Sequence, residues 1–182
     1  NTFANMFRGG GVPYKEVLCD VCDKMKVNYN KDSSTKKIEQ NLLMKILEDA
    51  LEKMSAEEIE KLGKELGLEN TAKLTSQSLT AIFLAVFRAG GFKSYQLTLI
   101  IVNAIVKVLI GRGLTLGGNV LVTRTAAILT GPIGWVITGL WTAVDIAGPA
   151  YRVTIPAVIQ IAYLRTLSEN RDAISAANNI KL

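Results

Sequence analysis

Residues 35–54 have the sequence TKKIEQNLLMKILEDALEKM, in which apolar side chains recur every fourth residue. This spacing places them along one face of an α-helix, where they can pack against a core. We therefore expect a long amphipathic helix at the surface of the protein, and we expect the Asp and Glu side chains of residues 1–73 to face solvent. The apolar stripe consists of Ile38, Leu42, Ile46, Ala50 and Met54, widened by Leu43, Leu47 and Leu51.

Local signals predict a helix on each side of this one. The first begins near residue 13 and runs to about residue 27, and the other follows a capping box and ends at a glycine. Residues 28–34 have the polar composition of a loop and supply the N-cap of the helix over 35–54. The residues that begin or end these helices are Pro13, Ser34 or Thr35, Ser55 with Glu58, and Gly67.

The C-terminal half of the chain is more apolar, and glycines separate its predicted helices. Gly90 and Gly91 end the first of these helices, and Ser94 can cap the next. Pro156 lies inside the last helix, where it predicts a kink or a helix start nearer Ile155. The predicted helices cover residues 79–89, 95–110, 114–129, 135–147 and about 150–167.

Together these patterns predict an all-α fold: a compact bundle of about seven to nine helices, in which very apolar, glycine-rich C-terminal helices are wrapped by amphipathic N-terminal ones. Charge divides this single domain, residues 1–182, into three parts. Residues 1–73 hold 12 Lys and Arg against 13 Asp and Glu, residues 74–167 hold seven cations against one acid, and residues 168–182 form a tail with two of each sign. The chain begins with Asn1 and shows no signal segment there, so we expect a fragment of a longer protein.

The composition argues against several function classes. With no histidine, the chain lacks the residue that most hydrolase triads and many metal sites use. Cys19 and Cys22 supply two thiolates where structural zinc needs four ligands, so we expect both to pack in the core. The isolated cations of residues 74–167 also differ from the clustered basic face that is typical of nucleic-acid binding. We therefore predict no catalytic residue, no metal, no cofactor and no nucleic-acid partner.

A run of 20 residues without charge, residues 125–144, lies between Arg124 and Asp145. It has about the length of a membrane-spanning helix but contains Gly131 and Pro132. Two interpretations follow: a tight core in which glycines allow close helix contact, or a hydrophobic hairpin that the folded protein stores and inserts at lipid. On the second interpretation, basic side chains attract anionic headgroups. The predicted membrane-contacting residues are Arg88, Lys93, Lys107, Arg112, Arg124, Trp135 and Trp141.

Asp145 is the single acid of residues 74–167. A lone carboxylate in an apolar segment must pair, stay exposed or be protonated. It therefore predicts either a structural ion pair, with Arg152 or Arg124 as the cation, or a switch that opposes membrane insertion.

Three strings resemble a known family: FRGGG at 7–11, YKEVLCDVC at 14–22 and AYRVTIPAVIQIA at 150–162. They resemble the YaaW-like bacterial proteins of unknown function, a family placed near the ubiquinol-cytochrome c chaperone group, and the resemblance covers about residues 3–167. The resemblance implies a bacterial helical protein that is made without a signal peptide and carries a further N-terminal segment. It implies no catalytic residues and no role in a respiratory complex.

These observations lead to two predicted functions. The first is a non-enzymatic bacterial membrane-interacting helical protein, a pore-forming or toxin-like effector domain, in the cytoplasm and peripheral to or inserted in the inner membrane. Its partners are the lipid membrane and a protein, either an immunity protein or a client. The alternative is a soluble chaperone-like or interaction module whose apolar groove holds a partner helix.

The substitution Asp145→Asn separates the two functions of this carboxylate. If the carboxylate opposes insertion, we expect the variant at pH 7 to bind vesicles as strongly as the unmodified protein does near pH 4–5, because the charge is then absent from both. If it pairs with a buried arginine, the variant has a lower free energy of unfolding at pH 7, since the cation is left unpaired. Vesicle co-sedimentation and leakage measure the first outcome, and urea unfolding measures the second. Vesicle binding that responds neither to pH nor to the substitution contradicts the membrane switch.

Overall fold

A computed structural model of the chain describes residues 11–68, 75–111, 135 and 151–169. These residues form six α-helices and contain no strand, so the predicted all-α class is confirmed for them. The helices are α1 (Tyr14–Lys24), α2 (Thr35–Leu51), α3 (Ala56–Glu65), α4 (Ser76–Ala89), α5 (Gly91–Gly111) and α6 (Tyr151–Glu169). The two helices predicted between α5 and α6 lie outside the described residues apart from Trp135, so the expected count of seven to nine stays a prediction.

The helices α2 and α3 have the N-caps that the local sequence predicts. The side chain of Ser34 accepts a hydrogen bond from the backbone N–H of Lys37 at 3.3 Å, at the start of α2. At the start of α3, Ser55 Oγ accepts from the N–H of Glu58 at 3.3 Å, and Glu58 Oε2 accepts from the N–H of Ser55 at 2.8 Å. Gly67 follows α3 with a φ of 64°, a left-handed conformation that glycine adopts without steric cost.

The helix α5 begins earlier than the pattern predicts. Gly90 and Gly91 both have a φ of 75°, so the chain turns within two residues and α5 starts at Gly91. Ser94 therefore lies in the first turn of α5, where its hydroxyl donates a hydrogen bond to the carbonyl oxygen of Phe87 in α4 at 2.9 Å. The prediction that Ser94 is an N-cap is wrong, because this side chain joins two consecutive helices instead.

The helix α6 extends from Tyr151 to Glu169 and includes Pro156. The predicted helix over about residues 150–167 is therefore confirmed, and the alternative start nearer Ile155 is wrong. A proline inside a helix removes one backbone hydrogen bond, which is a local cost. The burial of apolar side chains on both sides of the proline, such as Ile155 and Val158, offsets that cost.

The helix α2 is central to the described fold, where it packs against α1, α4, α5 and α6. Every side chain of the apolar stripe predicted for residues 35–54 is buried, as predicted, although α2 ends at Leu51 and Met54 lies beyond it. One further side chain on the buried side is an acid: Glu39, only 3 % exposed, lies one helical turn before Leu43 on the same row. The expectation that the acids of residues 1–73 face solvent is therefore wrong at Glu39, because tertiary packing supplies its carboxylate with partners.

The apolar helices α4, α5 and α6 complete the same core. The helix α5 packs against α2, α4 and α6, and α6 also packs against α1 and α2. The helix α3 packs against α4. The buried side chains that these C-terminal helices contribute include Leu79, Phe83, Leu97, Ile101, Ile105, Ile155, Val158, Ile159 and Ala162.

We expect Ile46→Ala to lower the free energy of unfolding by ~2–5 kcal/mol, because Ile46 is fully buried and its truncation leaves a cavity. Urea unfolding followed by circular dichroism measures this change. The matched control is Gln40→Ala on the exposed side of α2, which we expect to change the free energy by less than about 0.5 kcal/mol. A change of only a few tenths of a kcal/mol for Ile46→Ala would contradict the burial of this face.

Candidate functional site

An ion pair between a buried carboxylate and a partly exposed arginine joins residues that are far apart in the chain. Glu39 on α2 accepts a hydrogen bond from Arg165 Nε on α6, at 2.7 Å to Oε2, and a second from Arg165 Nη2, at 3.3 Å to Oε1. The hydroxyl of Tyr14 on α1 donates to Glu39 Oε1 at 2.8 Å. Because a buried carboxylate is costly unless it is paired and hydrogen-bonded, these contacts hold α6 against α1 and α2.

The same contacts determine which of these groups are protonated. Burial, and next the hydrogen bond to Glu39, raise the pKa of Tyr14 above its usual value, so the hydroxyl keeps its proton and acts as a donor. The hydrogen bond to Glu39 raises the pKa of Arg165, which keeps its positive charge. Both carboxylate oxygens of Glu39 accept hydrogen bonds. This arrangement is typical of a structural clamp, whereas a general base needs a free oxygen that faces its substrate.

A cleft of about 480 Å³ lies beside this ion pair, between α2, the α4–α5 turn and α6. Its volume falls in the range of small-molecule sites, roughly 300–1,000 Å³. Four charged side chains in its wall neutralise one another: Lys36 contacts Glu169 at 2.8 Å, and Arg165 contacts Glu39. The described residues contain no group of His, Cys, Asp and Glu that could hold a metal ion. The cleft wall therefore stabilises the position of α6 and attracts neither an anion nor a cation through these four side chains.

The opposite side of α6 presents apolar side chains to solvent. Val153 is 69 % exposed, Ile161 is 36 % exposed and Leu164 is 54 % exposed. Ala157 and Ser168 are also exposed, and the spacing of three or four residues places all five on one face, which we call the α6 outer face. A shallow hollow of about 470 Å³ lies beside Ile161 and Leu164. Because three large apolar side chains are exposed along this face, it is a candidate binding surface.

The α6 outer face belongs to a helix that is anchored at both ends. Near its N-terminus, the ammonium group of Lys24 on α1 lies 5.9 Å from the ring centroid of Tyr151, a cation–π distance. Near its C-terminus, the pairs of Glu39 and Glu169 with their cations bind it to α2. Since the inner face of α6 packs in the core, these anchors keep its outer face directed away from the protein.

Two of the predicted membrane-contacting residues make contacts within the protein. The Nζ of Lys93 donates to the carbonyl oxygen of Leu66 at 3.1 Å and to that of Gly67 at 2.9 Å, at the C-terminal end of α3. A cation at this end of a helix satisfies free carbonyl groups and opposes the helix dipole favourably. The Nε of Arg88 donates to Met44 Sδ at 3.2 Å. Both side chains therefore have a structural role between neighbouring helices.

Of the other predicted site residues, Trp135 is described in full, two are described without their side chains, and four lie outside the described residues. Trp135 is 73 % exposed. Lys107 lies on α5 and Arg152 is the second residue of α6, and their side chains lie outside the described part of the chain. The membrane contacts and the ion pair of Asp145 with Arg152 stay predictions. Within the described ranges, no helix is both long enough and apolar enough to cross a bilayer. The predicted site residues that lie wholly outside those ranges are Arg112, Arg124, Trp141 and Asp145.

The two cysteines are free, and they pack as predicted. Cys22 is fully buried, and burial raises the pKa of its thiol to about 12. Cys19 is partly buried against the same core. Because a thiolate is the reactive form of cysteine, Cys22 is unreactive at neutral pH and serves as a small apolar side chain.

Sequence reasoning missed both Glu39 and the α6 outer face. A signal for Glu39 was present, because it precedes Leu43 by four residues and so shares a row with buried side chains. A signal for α6 was present too, since its apolar residues occur on all sides of the helix, and only one side of it packs in the core.

Comparison with known proteins identifies a matching family model and several similar bacterial proteins. The family model described as ubiquinol-cytochrome C chaperone matches residues 1–159. A UPF0174 protein of Helicobacter pylori strain J99 is 58 % identical over 174 residues, which cover 94 % of this chain and 69 % of that protein. A UPF0174 protein of H. pylori strain 26695 is 50 % identical over 91 % of this chain and 81 % of its own length. The UPF0174 protein YaaW of Escherichia coli K12 is 32 % identical over 92 % of this chain and 66 % of its own length. No solved structure matches the chain. The resemblance to YaaW-like proteins is therefore confirmed.

We expect Tyr14→Phe to reduce the loss of stability at alkaline pH. An unfolded tyrosine ionises near pH 10, whereas the folded Tyr14 has a raised pKa and stays protonated. Its contribution to stability is therefore complete below about pH 10 and is lost as the pH rises from there towards the folded pKa. Without this hydroxyl, the free energy of unfolding falls less steeply with pH above pH 10, and the difference in slope is up to about 1.4 kcal/mol per pH unit.

Urea unfolding of the two proteins between about pH 8 and 11 measures these slopes. At pH 8, the difference in free energy of unfolding between the two proteins measures the loss of the hydrogen bond to the carboxylate, about 1.5–3 kcal/mol. Equal slopes for both proteins above pH 10 would contradict the assignment of Tyr14 as a donor to Glu39.

Proposed function

This chain belongs to the family described as ubiquinol-cytochrome C chaperone, and we propose that it is a chaperone-like interaction module that holds an apolar helix of a client protein. The observation that carries this proposal is the exposed apolar row on α6. The alternative function predicted from the sequence thus becomes the main one. The family and the described helices support neither the pore-forming nor the toxin-like part of the other prediction.

The geometry of the α6 outer face suits a helical partner. Val153 and Leu164 are separated by 11 residues, or about 16 Å along the helix axis at 1.5 Å per residue. A client helix of about three turns would cover this length with anchors at its own positions i, i+4 and i+7 or i+8. The hollow beside Ile161 and Leu164 would receive one of these anchors.

The exposed apolar row also gives the client a reason to bind. Exposed apolar side chains are costly in water, and their burial against an apolar helix recovers roughly 25 cal/mol per Å². The client helix, if it lacks its own partner, gains in the same way. Because α6 is anchored to α1 and α2, the protein loses little conformational freedom on binding, which favours affinity.

We assign this protein no catalytic residue and no cofactor. The groups that could have taken part in acid–base chemistry, Glu39 and Tyr14, are hydrogen-bonded to each other and to Arg165. Their proposed role is to position α6 for binding. We place the protein in bacteria, as its relatives in H. pylori and E. coli support, and its place in the cytoplasm is the prediction from its sequence.

We expect Leu164→Asp to weaken the binding of an apolar helical peptide by about tenfold or more. The probe is a fluorescein-labelled peptide of 18 residues with leucine at every third or fourth position and glutamine and lysine elsewhere. The loss has two parts. The exposed half of the Leu164 side chain no longer becomes buried by the peptide, which costs about 1 kcal/mol, and the new carboxylate must be desolvated. Together these exceed the 1.4 kcal/mol that corresponds to tenfold in the dissociation constant. Fluorescence anisotropy measures the binding.

The matched control is Ala85→Asp, which places the same charge on an exposed position of α4, away from the α6 outer face. We expect it to bind the peptide as the unmodified protein does. If the unmodified protein does not bind the peptide, or if Leu164→Asp binds it equally well, the proposal is wrong. Leakage of anionic vesicles caused by the unmodified protein would favour the membrane interpretation instead.

A further inference from the structure

We propose that the cleft of about 480 Å³ beside the Glu39–Arg165 ion pair binds a small carboxylate with an apolar body, of the kind of a medium-chain fatty acid. The carboxylate lies at the mouth of the cleft, between Lys36 and Arg165, and the apolar body lies against the floor. The inference does not rest on the proposed function, because the cleft lies on the other side of α6 from the α6 outer face.

The floor and the mouth of the cleft differ in polarity. The floor consists of mostly apolar side chains that are at least nine-tenths buried, from four helices: Leu43, Phe87, Tyr95, Thr98 and Ala162. The mouth consists of exposed residues: Lys36, Gln40, Gly90, Gly91 and Glu169. A Cβ added at either glycine would meet no atom within 4 Å, so the mouth is open at the α4–α5 turn. This polarity suits an amphipathic molecule with its apolar end inward.

Arg165 retains hydrogen-bond donors that Glu39 does not use. A guanidinium group has five N–H donors in a planar fork. Glu39 accepts from Nε at 2.7 Å and from Nη2 at 3.3 Å. The edge formed by Nη1 and the second N–H of Nη2 makes no hydrogen bond to the described residues. Such an edge matches the two oxygens of a second carboxylate.

Lys36 has a partner that a ligand can replace. Its ammonium group lies 2.8 Å from Glu169 Oε2, and both side chains are roughly half exposed. An exposed ion pair adds little to stability, and Glu169 is the last residue of α6, where the helix dipole disfavours an acid. A ligand carboxylate can therefore take the place of Glu169 beside Lys36. This exchange keeps the charges of the cleft balanced, because the ligand brings the negative charge that Glu169 withdraws.

The other polar groups of the wall favour a carboxylate over a cationic head group. Both oxygens of Glu39 already accept hydrogen bonds. An ammonium ligand would therefore compete with Lys36 for Glu169 as its carboxylate among the described residues of the wall. A metal ion would lack a group of ligands, since the described residues contain none.

Isothermal titration calorimetry of the full chain at pH 7 tests the head group with three probes of equal chain length: octanoate, octan-1-ol and octylammonium. We expect octanoate to bind at one site with a dissociation constant of about 0.1–1 mM, which is reasonable for about ten non-hydrogen atoms. We expect the alcohol and the amine to bind at least about tenfold more weakly, because neither gives Arg165 and Lys36 a charged acceptor.

Two variants with opposite effects locate the carboxylate. We expect Lys36→Gln to weaken octanoate binding by at least about fivefold, because it removes a charged donor. We expect Glu169→Gln to strengthen it by about two- to fivefold, since Lys36 then has no competing partner. The matched controls are Lys64→Gln and Glu60→Gln, which alter an exposed ion pair of α3 outside the cleft. Both should bind octanoate as the unmodified protein does, and circular dichroism checks that each variant is folded.

Two further variants test the planar edge and the location. Arg165→Lys keeps the charge that Glu39 needs and removes the planar edge, so we expect octanoate to bind at least about tenfold more weakly to the folded variant. Leu164→Ala reduces the α6 outer face and lies outside the cleft wall, so we expect it to bind octanoate as the unmodified protein does.

Four results overturn the proposal. They are no binding of octanoate up to about 10 mM, equal or tighter binding of the alcohol or the amine, a Lys36→Gln or Glu169→Gln variant without its expected effect, and a Leu164→Ala variant that loses the binding. The last would place the ligand on the α6 outer face. The peptide-binding assay is independent: a protein that binds the peptide and not octanoate overturns only the carboxylate site, and the converse overturns only the client function.

Discussion

The carboxylate of Glu39 must be neutralised inside the protein, and this requirement determines where α6 lies. An ionised group at 3 % exposure is tolerated only with a partner of opposite charge and further hydrogen bonds. Arg165 supplies the charge and Tyr14 supplies a third hydrogen bond, so helices far apart in the chain meet at one point. Any shift of α6 along α2 would leave this carboxylate buried without its partners. The ion pair therefore selects one position of α6 among the many that apolar contacts alone would allow.

A fixed position for α6 has a functional consequence. The helix has apolar side chains on both sides, and the ion pair commits one side to the core. The other side must then remain exposed or be covered by a second molecule, because the inner side of α6 packs in the core and Arg165 pairs with Glu39 of α2. A client helix is the proposed solution to this problem of exposed apolar area. The buried carboxylate of Glu39 therefore determines which side of α6 is available for binding.

The sequence predicted the scaffold better than the site. The apolar stripe of α2, the two N-caps and the core cysteines could be predicted because each depends on a regular pattern within a single helix. Glu39 was expected in solvent because most acids lie there. Its place in the row of Leu43 indicated burial, but no local pattern identifies the distant arginine that pairs with it. Ser94 was expected to be a cap because serine before an apolar run is a common helix start, yet the two preceding glycines begin α5 earlier.

By itself, the sequence determined the all-α class of the described residues, the starts of α2 and α3, and the apolar face of α2, because these depend on residues three or four positions apart. Only the tertiary structure decided that Glu39 pairs with Arg165, 126 positions along the chain, and that Lys93 closes the end of α3. It also decided which side of α6 faces solvent. The physical reason is that the free energy of a buried charge or an exposed apolar face depends on what packs beside it, and that neighbour comes from a distant part of the chain.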